Sequence, residues 1–492
     1  MKKIVSSAIA VCLLLGSYAQ KPGWQHLDYQ TDSVLGMSTR KAYQELLKGK
    51  KASKVIVGII DTGIDTAQED LKSVIWKDPN TGYSGWNFIA AETGQEDITR
   101  LTGYNKRLYD SLAYTTVPEQ YRAGYQQHRK LEPGLEAKIR DIQSLIAELG
   151  KVRKVVDVVV KKLGKDDPTL QNFKDYLLQG EATVEEKEIL TRVNKRFKLY
   201  PNWITYRYNE IDHILDMAKY HLAHGLNLEN EERDTALGNG DITPDKLGPL
   251  KELNIGSSYH GTHVAGIIGA VRDNGIGMDG IADNVQMLIL KDNGTLREVR
   301  DEAVARAIRY AVDHGAKVIN MSFGKPYTWN KKLVDDAVKY AMKNDVLLVH
   351  AAGNAGQNLD NEEHYPNPVY ADSSGKAEAW LEVGASGPKD DSTLAADFSN
   401  FGKRDVDVFA PGVAIYSTLP FNQYNSWEGT SMAAPMVTGL VALIREYYPR
   451  LTAAQVKQII IRSVLKRSVL TDKCVSGGIV NAYNALKLAA SY

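Results

Sequence analysis

Residues 54–65 read Lys54-Val55-Ile56-Val57-Gly58-Ile59-Ile60-Asp61-Thr62-Gly63-Ile64-Asp65. The run from Val55 to Ile60 is short, continuous and rich in β-branched side chains, the pattern of a strand buried on both faces. It stops at Asp61-Thr62-Gly63, a turn signal. Similar runs recur at 285–290, 317–321 and 345–350. Helical patterns lie between them. Residues 299–314 carry apolar side chains at Val304, Ile308, Ala311 and Val312 and close at Gly315; residues 330–343 behave the same way. Strand alternating with helix predicts βαβ units and an α/β fold on a mostly parallel sheet. A carboxylate at the C-terminal end of such a strand, as at Asp61, sits where open α/β sheets place their sites.

The middle of the chain breaks this rhythm. Between 97 and 234 the strand runs and Gly-rich turns disappear. Leu135, Ile139, Ile142, Ile146, Leu149, Val152, Val156 and Val159 repeat at three- and four-residue steps, one apolar stripe on a long helix. Asp167-Pro168 reads as the N-cap and first residue of a second helix. Thr183 and Glu186 form a capping box for a third. Ile211, Ile214, Leu215, Ala218 and Leu222, closing at Gly225, make a fourth. The expectation is an all-α insertion, a hairpin or small bundle. Residues 151–165 carry six basic side chains and one acid. That pattern suits a solvated helix face, and it also suits a helix lying on a membrane.

Residues 1–19 place Lys2 and Lys3 before an apolar stretch from Ile4 to Leu15 and end in Ser17-Tyr18-Ala19. This is the layout of an export signal cleaved after Ala19. A lipid anchor on Cys12 is the competing reading. No later stretch is apolar enough to span a bilayer, so no transmembrane segment is expected after signal removal. Lys+Arg and Asp+Glu both number 60, which gives no global argument for nucleic acid. Cys12 and Cys474 are the only cysteines, so a disulfide framework and a multi-thiolate zinc site are excluded. Cys474 is expected to be a buried small hydrophobe.

Three further segments carry chemistry. His260-Gly261-Thr262-His263-Val264-Ala265-Gly266 puts an imidazole at the start of a helix. His260 and His263, three apart, could suggest metal ligands, but no His-Glu-x-x-His signature and no nearby acid completes a set. Gly429-Thr430-Ser431-Met432-Ala433-Ala434-Pro435 puts a serine at the start of a helix whose small residues imply tight, central packing. A nucleophile there gains the positive end of the helix dipole and free backbone N–H groups. Leu347 to Gly356 is a strand running into small residues with one amide side chain, Asn354, able to donate to a developing oxyanion.

Taken together, in the order Asp, His, Asn, Ser, these segments resemble the subtilisin family of serine peptidases. The likeness covers roughly 54–96 and 235–487. It implies a three-layer α/β fold with a mostly parallel central sheet, and hydrolysis through an acyl-enzyme. It makes Asp61, His260 and Ser431 the triad and Asn354 the oxyanion-hole side chain. Ser322-Phe323-Gly324 and Ala351-Ala352-Gly353 resemble the walls of the substrate pocket. Their lack of charge implies an apolar or aromatic preference before the cleaved bond, although Glu362, Glu363 and Asp372 could supply a carboxylate.

The expected organisation is a signal at 1–19, catalytic segments at 20–96 and 235–492, and the helical insertion at 97–234. Trp86-Asn87-Phe88 and Gly238-Asn239-Gly240-Asp241 look like family core on either side of it. Residues 20–60 leave no room for a folded pro-domain, and Gly477 to Ala482 resembles the family's closing segment. The chemistry requires no cofactor. Structural calcium is expected of many family members, and Asp273, Asn274 and Asp279 in loop 272–280 offer oxygen ligands. The implied partners are peptide or protein substrates, with the insertion touching substrate or a partner, and the implied location is periplasmic or extracellular. Two other readings stand beside this one. One is a weakly active or inactive relative whose insertion recruits a partner. The other is a metallo-hydrolase using His260 and His263.

Overall fold

The computed structural model describes residues 23–88, 97–99, 101–102, 122–198, 200, 202–228, 258–292 and 299–492. Residues 1–19, Cys12 and the Gly238–Asp241 segment lie outside them. The chain divides into two compact units, one with the described residues of 97–228 and the other with the rest.

The larger unit is built on strands β1 (Val55–Asp61), β2 (Gly85–Asn87), β3 (Val285–Lys291), β4 (Val318–Met321), β5 (Leu347–Ala351), β6 (Trp380–Ser386), β7 (Val408–Pro411), β8 (Ile415–Leu419), β9 (Gln423–Trp427), β10 (Leu465–Lys466) and β11 (Gly478–Ile479). Nine form one sheet in the order β10-β11-β7-β6-β5-β4-β1-β3-β2, and β8 and β9 form a separate hairpin. Every neighbour pair in the large sheet is parallel except β10 with β11.

The apolar run that opened the argument explains the layering. Side chains alternate across a strand, so Val55, Val57 and Ile59 face one side and Ile60 faces the other. On the first side they meet Val264 and Ile268 of helix Tyr259–Gly269 and Val437 and Leu440 of helix Thr430–Tyr447. On the second, Ile60 joins Val304 and Ile308 of helix Asp301–Asp313 and Val334 and Val338 of helix Lys331–Lys343. Helix, sheet and helix make three layers, and both faces of the sheet are dry. Trp86 and Asn87 lie in β2, paired with β3. Ile479 pairs with Phe409, and Asn481 caps the last helix, Ala482–Ala489. Cys474 is a free, buried thiol that burial pushes up in pKa. No helix among the described residues is long and apolar enough to cross a membrane.

The smaller unit is helical. Helix Arg122–Leu163 buries Leu135, Ile142, Val156 and Val159 of its stripe. Thr183 and Glu186 form the expected reciprocal cap on helix Val184–Phe197. The second helix differs from the reading of its start. Leu170–Leu178 is capped by Thr169 with Asn172, not by Asp167. Asp167 instead accepts from the Trp203 and Ile204 N–H groups, so it caps helix Trp203–Arg207, distant in sequence. That helix continues through a π-helical turn at Tyr208–Asp212, helix His213–Tyr220 and a second π-helical turn at His221–Gly225.

Phe173, Phe197, Trp203 and Tyr206 pack ring on ring and give the unit its own core. The Thr99 hydroxyl donates to the Gly225 carbonyl at 2.8 Å, joining its first and last described turns. Lys151, Arg153 and Lys162 pair with Glu185, Asp212 and Glu186 of the unit's other helices. These basic side chains thus meet protein acids, which favours the solvated-face reading over a membrane surface.

Candidate active site

Asp61 ends β1 and is buried, and its neighbour Thr62 donates its N–H to Oδ1 at 2.7 Å. His260 Nδ1 lies 2.7 Å from Asp61 Oδ1 and 2.9 Å from Oδ2. The carboxylate accepts, so the proton sits on Nδ1 and Nε2 is left to act on something else. Protein atoms crowd the imidazole, yet 33% of its side-chain surface stays open. Burial pushes its pKa down, but the Asp61 charge and hydrogen bond outweigh it and hold the imidazole above its ordinary 6.5.

The motif around His260 is built for this approach. Gly261 N–H donates to Thr62 Oγ1 at 3.1 Å, and Asp65 N–H donates to Thr262 Oγ1 at 2.9 Å. A Cβ on Gly261 would overlap the Gly63 carbonyl oxygen and stand 3.2 Å from Asp61 Oδ1, so only glycine lets the helix start come this close. His263 turns elsewhere. It donates to the Asn425 carbonyl, stacks on Trp427 at 4.7 Å and is held neutral by burial, at about 3. A shared metal between the two histidines has no support here.

Ser431 is the second residue of a buried 18-residue helix. Its hydroxyl donates to the Ser322 carbonyl at 3.1 Å, and Ser322 Oγ donates back to the Ser431 carbonyl at 3.0 Å. No hydrogen bond joins Ser431 to His260 among the described residues. Their nearness follows from register. Ile60 pairs with Met321, so Asp61 and Ser322 leave adjacent strands at the same level. The helices carrying His260 and Ser431 also pack on each other.

Asn354 follows β5. Its Oδ1 accepts from both the N–H and the hydroxyl of Thr430, each at 2.9 Å, which leaves the amide N–H₂ facing outward. A Cβ built on Gly429 would stand 3.5 Å from Asn354 Nδ2 and 3.6 Å from Ser431 N. Two donor nitrogens therefore flank one space that Gly429 keeps clear, an arrangement suited to an oxyanion.

The remaining residues singled out by sequence fall on both sides of Ser431. Ser322, Phe323 and Gly324 extend β4, while Ala351, Ala352 and Gly353 end β5 and run past it. Phe323 is half-buried and packs against the core cluster beneath the sheet. In loop 272–280 the Asp279 carboxylate accepts from the Asp273 N–H and pairs with Arg272, so Asp279 serves the loop itself. The carboxylate turned into the loop is Asp70, which was missed. It is fully buried, accepts from Asn274 Nδ2 at 2.7 Å and Met278 N–H at 3.1 Å, and is raised by burial.

Sequence reasoning also missed Asp292, buried beside Asp61. Its carboxyl has no hydrogen-bond partner on any other described residue and is pushed well up by burial and by the Asp61 charge. It missed the group His350, His364 and Glu382 as well, of which His350 and Glu382 are buried. None of these has a local sequence pattern. Only the pairing of β5 with β6 puts His350 opposite Glu382.

The profile of the subtilase family matches residues 52–483. The chain belongs to that family, the subtilisin-like serine endopeptidases. Subtilisin DY of Bacillus licheniformis is 38% identical over 208 residues, covering 42% of this chain and 70% of that protein. The major intracellular serine protease of Bacillus subtilis (strain 168) is 39% identical over 221 residues, covering 44% of this chain and 63% of that one. The thermophilic serine proteinase of Bacillus sp. (strain AK1) is 36% identical over 233 residues, 46% of this chain and 52% of that protein. A solved structure of a mutant protease domain of PatA is 30% identical with a TM-score of 0.41, covering 48% of this chain and 81% of that one.

Proposed function

We propose that this chain is an exported endopeptidase that cuts peptide bonds with Ser431 as nucleophile, His260 as general base and acid, Asp61 as the group that orients His260, and Asn354 as an oxyanion donor. The observation that carries this reading is the contact of His260 Nδ1 with both Asp61 oxygens. It fixes the tautomer and frees Nε2 at the edge of the sheet where Ser431 begins its helix.

In this reading the Ser431 hydroxyl turns from the Ser322 carbonyl to His260 Nε2. Oγ then adds to the scissile carbonyl while its proton passes to Nε2. The oxygen takes the negative charge between Asn354 Nδ2 and the Ser431 N–H. The tetrahedral centre collapses, the C–N bond breaks, and imidazolium gives the proton to the leaving amine. Water, deprotonated by the same nitrogen, hydrolyses the acyl ester and returns Ser431.

Ser431→Ala should lower kcat by roughly 10⁶, the loss that removing this serine causes in subtilisin itself. A folded variant with parental kcat removes Ser431 from the role. Export rests on residues 1–19. Calcium in loop 272–280 rests on the buried Asp70 carboxylate, the exposed Asn274 side chain beside it, and Gln25 Oε1, which is buried with no hydrogen-bond partner among the described residues. Gln25 precedes His26, which donates to the Asp279 carbonyl of that loop. These residues would hold the ion, whose part would be structural, since the chemistry above runs on protein groups alone. The helical unit contains none of the four reacting residues, and its part is to choose among protein substrates.

A further inference from the structure

We propose that His364 closes the floor of the crevice that receives the substrate side chain before the cleaved bond, so that this enzyme cuts after small residues. The inference deepens the peptidase reading and rests on it.

The crevice is defined by two strands. β4 and β5 pair in parallel, Met321 opposite His350. At their ends the chain runs past the start of the Ser431 helix on both sides. Ser322 accepts the Ser431 hydroxyl, and Gly353 N–H donates to Thr430 Oγ1 at 3.1 Å. A peptide whose carbonyl lies at Ser431 must therefore lower its preceding side chain between 322–324 and 351–353.

That space is already occupied. His364 Nε2–H donates to the Ala351 carbonyl at 3.1 Å. A Cβ on Gly324 would overlap the His364 ring, and one on Gly353 would stand 3.2 Å from its Cε1. The ring thus touches both walls and fills the room beside Gly324, while Asn400 Nδ2 stands nearest the Gly353 Cβ position, at 2.6 Å. An aromatic side chain needs the depth that the ring takes; a methyl group does not.

The ring is also held in place. Tyr365 N–H donates to the Lys325 carbonyl at 2.8 Å and Lys325 N–H donates to the Tyr365 carbonyl at 3.0 Å, tying the segment to one wall. Asn367 Nδ2 donates to the His364 carbonyl. Behind the ring stand His350, at 5.1 Å between centroids, and then Trp380 and Glu382. Burial lowers the His364 pKa to about 4, so the floor is neutral.

Glu382 and Asp372 are already engaged and do not await a cationic side chain. Glu382 is occupied by His350 Nδ1 and Trp380 Nε1, and Asp372 pairs with Lys339. A metal reading of the same group is weaker. The hydrogen bonds leave only His350 Nε2 and His364 Nδ1 as unused donors, short of the three protein ligands zinc takes.

The test is a set of tetrapeptide p-nitroanilides that differ only in the last residue: Ala, Leu, Phe or Lys. The parent enzyme should favour Ala over Phe by tenfold or more in kcat/KM, in line with the 10- to 200-fold range of apolar-pocket discrimination. His364→Gly should raise the Phe-to-Ala ratio at least tenfold, and His364→Ala should move it in the same direction. Labelling with a fluorophosphonate reports the folded, competent fraction of each protein. A labelled parent that prefers Leu, Phe or Lys overturns the inference alone. So does a labelled His364→Gly or His364→Ala variant with an unchanged ratio. A parent that neither labels nor cleaves overturns the peptidase reading, and this inference with it.

Discussion

At the residue scale, the site turns on one competition at His260. Desolvation favours the neutral ring, while the Asp61 charge and hydrogen bond favour the imidazolium, and Asp61 wins. The base form therefore appears only above the ordinary 6.5, and kcat/KM should rise with pH through a value higher than that. The same shift affects stability with the opposite sense. The pair stabilises the fold fully below pH 6.5, and this contribution is lost as pH rises through the raised value. Asp61→Asn should move the rising limb of the pH–rate profile down and cut kcat by about 10⁴, as in the subtilisins and other triad enzymes. A limb that stays put would mean that Asp61 does not set the His260 proton affinity. Asp61, His260 and Ser431 were legible because each lies in a run of residues that also specifies its backbone. His364 was not, because nothing in Glu363-His364-Tyr365 marks a histidine that will stand between two distant strands. The same holds for Asp292 and Asp70, whose neighbours are set only by the sheet order.

At the element scale, helix starts place the chemistry. Gly261 allows the His260 helix to meet the turn after β1, where any Cβ would overlap the Gly63 carbonyl. Gly261→Ala should cost about 1–3 kcal/mol of stability, as overpacking does. It should also slow catalysis by displacing His260 from Asp61, and a parental rate in the folded variant would contradict this. In the helical unit, Thr183 accepts from Glu186 N–H while Glu186 accepts from Thr183 N–H. Thr183→Ala should cost about 1 kcal/mol, read as faster hydrogen exchange confined to 184–197. Exchange that rises across the large sheet instead would show that this cap does more than hold its own helix. The long stripe and the Thr183 box were legible because both are local patterns. The start of helix Leu170–Leu178 was misread because Asp167 and Thr169 are both good caps. Tertiary contact with Trp203 and Ile204 decided between them.

At the scale of the whole molecule, the unit built on the nine-stranded sheet contains Asp61, His260, Asn354 and Ser431, and a helical unit with its own aromatic core is spliced into the connection from Asp61 to His260. Replacing 97–234 with a short Gly/Ser linker should leave hydrolysis of a small peptide ester nearly unchanged while altering which proteins are cut. Loss of ester hydrolysis in a folded protein, or an unaltered protein range, would contradict that division of labour. Chelation should lower the melting temperature, with calcium restoring it, if Asp70 and Asn274 hold an ion; an unchanged melting curve removes calcium from the loop. The central claim is that Ser431 is the nucleophile of a peptidase. Treatment of the purified protein with a fluorophosphonate, followed by peptide mapping, tests it most directly. The account predicts one adduct, on the peptide containing Ser431, with peptide hydrolysis lost in proportion to labelling. Hydrolysis that survives full exposure to the reagent, or an adduct on another residue, would contradict it.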